Sequence, residues 1–287
     1  LFPYTTLFRL FGKKHLRDFG FMMAQPSNQE ESGLHREILK GTTNMYRSQA
    51  VHYGTVYNDV ITLPLFIVKF NCDYNDTQIS LFELRKLQAW LTSSKLPQSL
   101  YMIGNEGIMI EYHGIFTEIS PYSYCGLNGF HLTFTCDSPF GYDTKVVKIQ
   151  AENEKKGITK RMFCDTDEVE EYSYPLIQFY PHAMGEISFK NNNDGGNMMS
   201  LSLSKKYKEV TIDCKLKRIL ADNTPLSLSD VGWNIKQMND FNNINTGIYK
   251  MYWLRLMPER NYVDISGDGD FIITYKNLIK LGGLTNV

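Results

Sequence analysis

The chain has 287 residues, a formal net charge of -1 and no long basic run, so the electrostatic footprint that a nucleic-acid backbone demands is missing. With 43% hydrophobic, 13% aromatic and 21% charged residues, it carries too much apolar material for a disordered chain and enough length for two cores. No apolar run approaches the ~20 residues of a membrane span, and no basic-then-apolar signal segment opens the chain, so a soluble, cytosol-made protein is expected.

In chain order, the opening "LFPYTTLFR" starts without methionine and resembles a translated sequencing adapter. Residues 1–9 are therefore read as a non-native leader that packs on nothing. From Leu10 to about Asp143 the pattern is strands with one helix. In "LPLFIVKF" (63–70) apolar residues dominate, as in a strand buried on both faces. The helix lies in "SLFELRKLQAWLTSSKLP", where Ser80 and Glu83 form a capping box that satisfies free backbone N–H groups. Leu81, Leu84, Leu87, Trp90 and Leu91 recur at helical spacing as one apolar face, and Pro97 is expected to keep the helix from running on. "GIMIEYHGIFTEIS" (107–120) and "HLTFTC" (131–136) read as further strands. In the second, Leu132, Phe134 and Cys136 alternate with His131, Thr133 and Thr135, which makes a half-buried sheet.

Between about Lys145 and Tyr172 the composition turns densely charged, and a domain junction is placed there. Beyond it, "LIQFY", "GEISF", "MSLSLS", "EVTIDCKLKRIL", "IYKMYWLRL", "NYVDIS" and "DFIITY" are separated by turn clusters such as "NNNDGG". Short strands at this spacing predict a β-sandwich. In "VTIDCKL", Val210, Ile212, Cys214 and Leu216 are expected to face one way, with Thr211, Asp213 and Lys215 facing the other.

Sites of chemistry are sparse. The five cysteines are scattered and never spaced as CxxC, and the six histidines never pair at the spacing of a zinc helix. Asp264, Asp268 and Asp270 in "VDISGDGDFIITY" suggest a calcium loop, but the twelfth residue from Asp264 is Tyr275 and from Asp268 is Ile279, neither a carboxylate. The stretch reads instead as two strands joined in a tight hairpin across Gly267-Asp268-Gly269. Trp233 and Tyr249 are candidates for a sugar-stacking platform, whereas Trp253 in "MYWLRL" is placed in the core. An open aromatic beside Asn, Asp or Arg on the sandwich would favour sugar binding; burial of Trp233 and Tyr249 would weaken it.

Three stretches carry a likeness: "FRLFGKKHLRDFGFMM" (8–23), "LRKLQAWLTSSKLPQSLYM" through "GIFTEISPYSYCGLNGFHLTFTCDSPFGY" (84–142), and "YWLRLMPERNYVDISGDGDFIITYKN" (252–277). Together they resemble the distal tail proteins of long-tailed, non-contractile bacteriophages and related prophages. "FTCDSPFGY" is the most specific element, and the C-terminal stretch is similar to a W-x-R-L-x-P-G-x-N pattern with Glu259 in the glycine slot, which favours a type I turn after Pro258. The resemblance implies a mainly β fold: an N-terminal split β-barrel with one α-helix (10–147) that forms the ring, then a galectin-like or carbohydrate-binding-module-like β-sandwich (148–287). It implies a structural protein without catalytic residues, cofactor or metal, located at the tail tip of the virion after assembly in the bacterial host cytoplasm. The implied partners are five further copies in a homohexameric ring, the major tail tube protein, the tail-tip or tail-associated lysin protein, and the tape measure protein. A second reading makes the sandwich an adhesin for cell-surface carbohydrate through Trp233 and Tyr249.

Overall fold

The computed structural model describes residues 7–12, 14–24, 37–40, 52–57, 60–69, 78–103, 109–124, 127–150, 157–203, 205–226 and 252–280. The fold is mainly β, and strands pair antiparallel in the registers described. It divides into two compact units, Leu1–Asp143 with Ile279–Val287, and Thr144–Leu278. No helix among the described residues is long and apolar enough to cross a membrane.

The first unit contains β1 (Leu7–Phe11), a 3-10 turn at Leu16–Phe19, β2 (Phe21–Ala24), β3 (Glu37–Lys40), β4 (His52–Val56), β5 (Thr62–Lys69), α1 (Leu81–Leu91), β6 (Gln98–Ile103), β7 (Met109–Tyr124) and β8 (Leu127–Cys136). β9 (Gly141–Gln150) starts in this unit, where Tyr142 pairs Glu111. Pairing runs β2-β5-β8-β7-β6-β1, while β3 and β4 form a separate ribbon. The pairing of Leu7 with Ile103 and of Phe8 with Met102 counts against a leader that packs on nothing up to Arg9. Residues 1–6 lie outside the described residues.

Alternation works as expected in β8, where Leu132, Phe134 and Cys136 are buried and His131, Thr133 and Thr135 are half-buried. β5 meets the expectation of burial on both faces only in part: Leu63, Leu65 and Ile67 enter the core, while on the other face Val68 is buried and Pro64 and Phe66 are half-buried, Phe66 against Tyr122 and His131 with ring centroids 5.0 and 4.7 Å away. An antiparallel strand between two neighbours keeps two faces, and the core covers one of them.

The second unit contains β10 (Ile158–Cys164), β11 (Leu176–Pro181), β12 (Gly185–Asn191), β13 (Met198–Leu203), β14 (Val210–Asp213), β15 (Arg218–Ala221), β16 (Thr224–Pro225), β17 (Glu259–Ser266) and β18 (Gly269–Ile279). One sheet runs β16-β15-β14-β11-β18-β9 and the other β10-β17-β12-β13. Both contribute to a single core: Ile177, Phe179, Ile212, Phe271 and Ile273 from the first meet Met162, Ile187, Phe189, Leu201 and Val263 from the second. Phe271 stacks on Phe179 at 4.5 Å and takes Phe189 edge-on at 5.6 Å. This is a sandwich, two sheets closed on shared apolar faces.

Three sequence readings are corrected here. β17 and β18 do not pair as a hairpin; Gly267-Asp268-Gly269 carries the chain from one sheet to the other. Gly267 and Gly269 have φ of 143° and 154°, a Cβ on Gly267 would sit 2.6 Å from Ile187 Cγ2, and one on Gly269 would run into the Tyr180 carbonyl oxygen. Leu216 is exposed, because β14 ends at Asp213, whose carboxylate accepts the Leu216 N–H, and a turn follows before β15. Tyr252–Arg255 form no strand, and Leu256 makes an isolated bridge to Ser173.

Glu259 also departs from expectation. Its φ of 68° has the sign that a type II turn requires after proline, opposite to type I, so it keeps the backbone shape a glycine would give. The buried Asn261 enforces this: its Oδ1 accepts the Met257 N–H at 2.8 Å, and its Nδ2 donates to the Met257 carbonyl at 2.7 Å. A left-handed residue bearing a Cβ costs on the order of 1 kcal/mol. Glu259→Gly is therefore expected to raise the unfolding free energy by up to about 1 kcal/mol, and Glu259→Val to lower it by at least as much. Urea denaturation of the three proteins checks this, and a Glu259→Gly protein less stable than the parent would contradict it.

Candidate functional site

The α1 cap forms as its residues dictate. Glu83 N–H donates to Ser80 Oγ at 3.2 Å, and Ser80 N–H donates to Glu83 Oε2 at 2.8 Å. The Ser80 backbone N–H, with Lys69 beside it, holds the Glu83 carboxyl below its ordinary pKa against the opposing effect of burial. Leu87, Trp90 and Leu91 are buried and Leu84 packs on the same core, but Leu81 is 84% exposed. As the first helical residue, Leu81 precedes the turn that tucks its neighbours inward. The helix ends at Leu91, well before Pro97: Thr92 closes it, with N–H and Oγ1 both donating to the Gln88 carbonyl.

Beside α1 runs an open groove of about 1030 Å³. Its wall is aromatic: Phe19 stacks on Trp90 with centroids 4.3 Å apart, and Trp90 Nε1 donates to the Phe11 carbonyl. Lys86 Nζ lies 4.5 Å from the Phe82 ring centre and Lys14 Nζ 5.7 Å from that of Phe19. Phe82 in the lining is 66% exposed; Leu81 at the start of α1 and Leu96 beyond its end are 84% and 74% exposed. Large apolar side chains left in solvent along one helix suit a surface for contact.

Among the residues lining the groove is His113, whose Nδ1 lies 2.6 Å from Asp137 Oδ2. A His–Asp pair is two-thirds of a hydrolytic triad. The neighbouring Cys136 does not complete it, since burial, reinforced by the Asp137 charge, pushes that thiol up to about 12. Burial likewise takes Cys164 and Cys214 to about 12, which makes them core side chains of low reactivity.

The three aspartates of the suspected calcium loop do not converge. Asp264 accepts from Thr159 Oγ1 at 2.5 Å and Asn192 Nδ2 at 2.9 Å, bonds that hold its carboxyl below the usual range. Asp268 and Asp270 flank His182, each 3.5 Å from a different ring nitrogen. Among the described residues no three His, Cys, Asp or Glu side chains gather as a metal site.

Sequence reading missed a polar node inside the sandwich. The Arg255 fork donates to Asp194 through Nε at 2.7 Å and Nη2 at 2.9 Å, and Tyr252 Oη donates to the same carboxylate at 2.6 Å. The Arg255 guanidinium also lies 4.1 Å from the Tyr172 ring centre. Asn191, fully buried, donates to Asn261 Oδ1 and to the Arg255 carbonyl, both at 2.9 Å. Burial disfavours the Asp194 charge, yet the Arg255 and Tyr252 hydrogen bonds outweigh it and hold the carboxyl below its ordinary range. The available signal was Arg255 within the apolar "YWLRLM", with Asn261 six residues after it. Trp253 of that stretch packs half-buried on the sandwich core; Trp233 and Tyr249, the sugar-platform candidates, lie outside the described residues.

Residues 8–138 match a family model described as a phage tail protein N-terminal domain. Among solved structures the chain is similar to the Dit protein of phage SPP1, described as a paradigm of the hub adsorption apparatus in phages that infect Gram-positive hosts. The two share 12% identity, with 96% of this chain and 98% of that one covered, at a TM-score of 0.55. No curated protein matches. The family match bears out a phage-tail N-terminal domain, and the structural likeness bears out the distal-tail-protein fold.

The Asp194–Arg255 pair generates a pH prediction. Because the folded-state pKa of Asp194 is depressed, its stabilisation is complete above the unfolded value of about 4 and is lost as pH falls through the folded value. Thermal melts from about pH 7 to about pH 2 should show an acid-side loss that is smaller in Asp194→Asn, and Arg255→Ala should cost roughly 3 kcal/mol by stranding a buried carboxylate. An unchanged acid limb in Asp194→Asn would remove the node from the account.

Proposed function

We propose that this chain is a distal tail protein, a structural component of the phage tail tip. In this reading it forms a homohexameric ring that joins the major tail tube protein to the tail-tip or tail-associated lysin protein, around the end of the tape measure protein. The observation that carries it is the fold likeness to a hub protein, which covers both chains almost end to end. Residues 10–147 then act as a split-barrel, ring-forming belt and residues 148–287 as a galectin-like sandwich projecting from it. The protein's place is the virion, after assembly in the host cytoplasm, and its activity is its contacts and not catalysis.

A ring requires two unlike surfaces on each copy that meet head to tail and close by rotation. The groove beside α1, with the exposed Phe82 in its lining, supplies one surface of the right character: a large apolar group whose desolvation on contact is favourable. A stable contact of this kind buries on the order of 1,000 Å² or more, so the groove forms one part of a wider interface.

Light scattering of the full chain across a dilution series tests the assembly. A sixfold mass is expected, either alone or on addition of tail-tube protein. The double variant Leu81→Ser, Phe82→Ser should keep its melting temperature, because both side chains are already exposed, and should weaken association by about tenfold or more. A monomer at every concentration, with and without tube protein, would sink the ring; a full-strength ring in the double variant would move the contact elsewhere.

A further inference from the structure

One face of the sandwich has a composition that neither packing nor hub function requires. In β10, alternation sends Met162 and Cys164 into the core and Thr159, Arg161 and Phe163 outward; in β17 it buries Asn261, Val263 and Ile265 and turns Arg260, Tyr262 and Asp264 outward. The antiparallel register then sets Arg161 opposite Tyr262, Phe163 opposite Arg260 and Thr159 opposite Asp264. Two arginines occupy one diagonal of a checkerboard and two aromatics the other. Directly opposed Cβ atoms stand about 5 Å apart and diagonal ones about 7–8 Å apart.

Both aromatics are open, Phe163 at 46% and Tyr262 at 41% exposure. Arg161 and Arg260 are exposed and form no ion pair among the described residues. The adjoining Asp264 carboxylate is held by Thr159 and Asn192, with Lys190 opposite it in β12. Aromatic planes for ring faces, a fixed carboxylate for hydroxyl groups and two unspent guanidinium forks for anions thus sit side by side on a strand surface.

We propose that this face binds an anionic polysaccharide. Pyranose rings pack on Tyr262 and Phe163, phosphate or carboxylate groups pair with Arg161 and Arg260, and Asp264 accepts sugar hydroxyl hydrogens. Charge complementarity selects this occupant over a protein. A protein covering the face would have to bury two unpaired guanidinium groups or bring two matched carboxylates, whereas an anionic sugar polymer repeats both the ring and the charge along its length. The inference is separate from the ring and does not depend on it.

The test is retention of the full chain on an array of phosphate- and uronate-bearing polysaccharides, uncharged dextran and inorganic polyphosphate, with native mass measured in parallel. Retention is expected on the charged polysaccharides above both dextran and polyphosphate. It should fall roughly tenfold or more in the double variant Arg161→Gln, Arg260→Gln and in Tyr262→Ala, and persist in Tyr262→Phe, with melting temperatures unchanged. No retention on any polysaccharide overturns the proposal, as does retention equal to that on polyphosphate and insensitive to Tyr262→Ala, which is charge attraction alone. A native mass that changes in these variants while retention does not would reassign the face to a protein contact. Since ring mass and retention are read separately, failure of one leaves the other standing.

Discussion

The crossing at Gly267-Asp268-Gly269 is the constraint on which the sandwich depends. One continuous stretch supplies β17, flanked in its sheet by β10 and β12, and β18, flanked in the other by β11 and β9. Both sheets are therefore built around strands that are covalent neighbours, and their separation is fixed by how sharply the chain turns between them. The turn is possible because neither glycine carries a Cβ where Ile187 and the Tyr180 carbonyl stand. With that corner set, Phe271 meets both Phe179 in its own sheet and Phe189 in the facing one.

The polar node depends on the same framework. Asn191 ends β12 and Asn261 lies in β17, so the β12–β17 pairing brings the two amides together. Through Asn261 the node shapes the loop around Pro258 and Glu259, and through Asn191 it reaches the segment that places Arg255 on Asp194. A buried carboxylate is costly unless its bonds are made, and here each bond comes from a residue whose position another bond fixes. The node is consequently a stabilising element of the sandwich, while the work assigned to this protein falls to its surfaces.

Those surfaces differ by unit. The first unit exposes large apolar groups beside α1, the character of a contact that excludes water. The second exposes alternating arginine and aromatic side chains on a sheet face, the character of a contact that stays wet and charged. One chain can carry both because neither demands movement or a reactive group. The buried thiols and the separated aspartates are consistent with side chains selected for packing and turn geometry.

Much of the secondary structure was legible in the sequence, because periodicity is a local property. The alternation in "HLTFTC" sorted inward from outward residues correctly, and Ser80 with Glu83 marked the helix start. Local rules failed where a tertiary neighbour decided the outcome. Glu259 takes a left-handed conformation that its own preference opposes, since Asn261 grips the backbone on both sides of it. Leu81 keeps its place in the apolar period yet lies beyond the reach of the core. Trp233 and Tyr249 stand out in the sequence by residue type, whereas Phe163 and Tyr262 are about a hundred positions apart and become neighbours only through the β10–β17 register. The sequence by itself determined the fold class and, within strands such as β8, which side chains turn inward. Sheet membership, register and the faces formed by distant strands were decided only in the tertiary structure, because alternation specifies a direction for each side chain and not a neighbour for each strand.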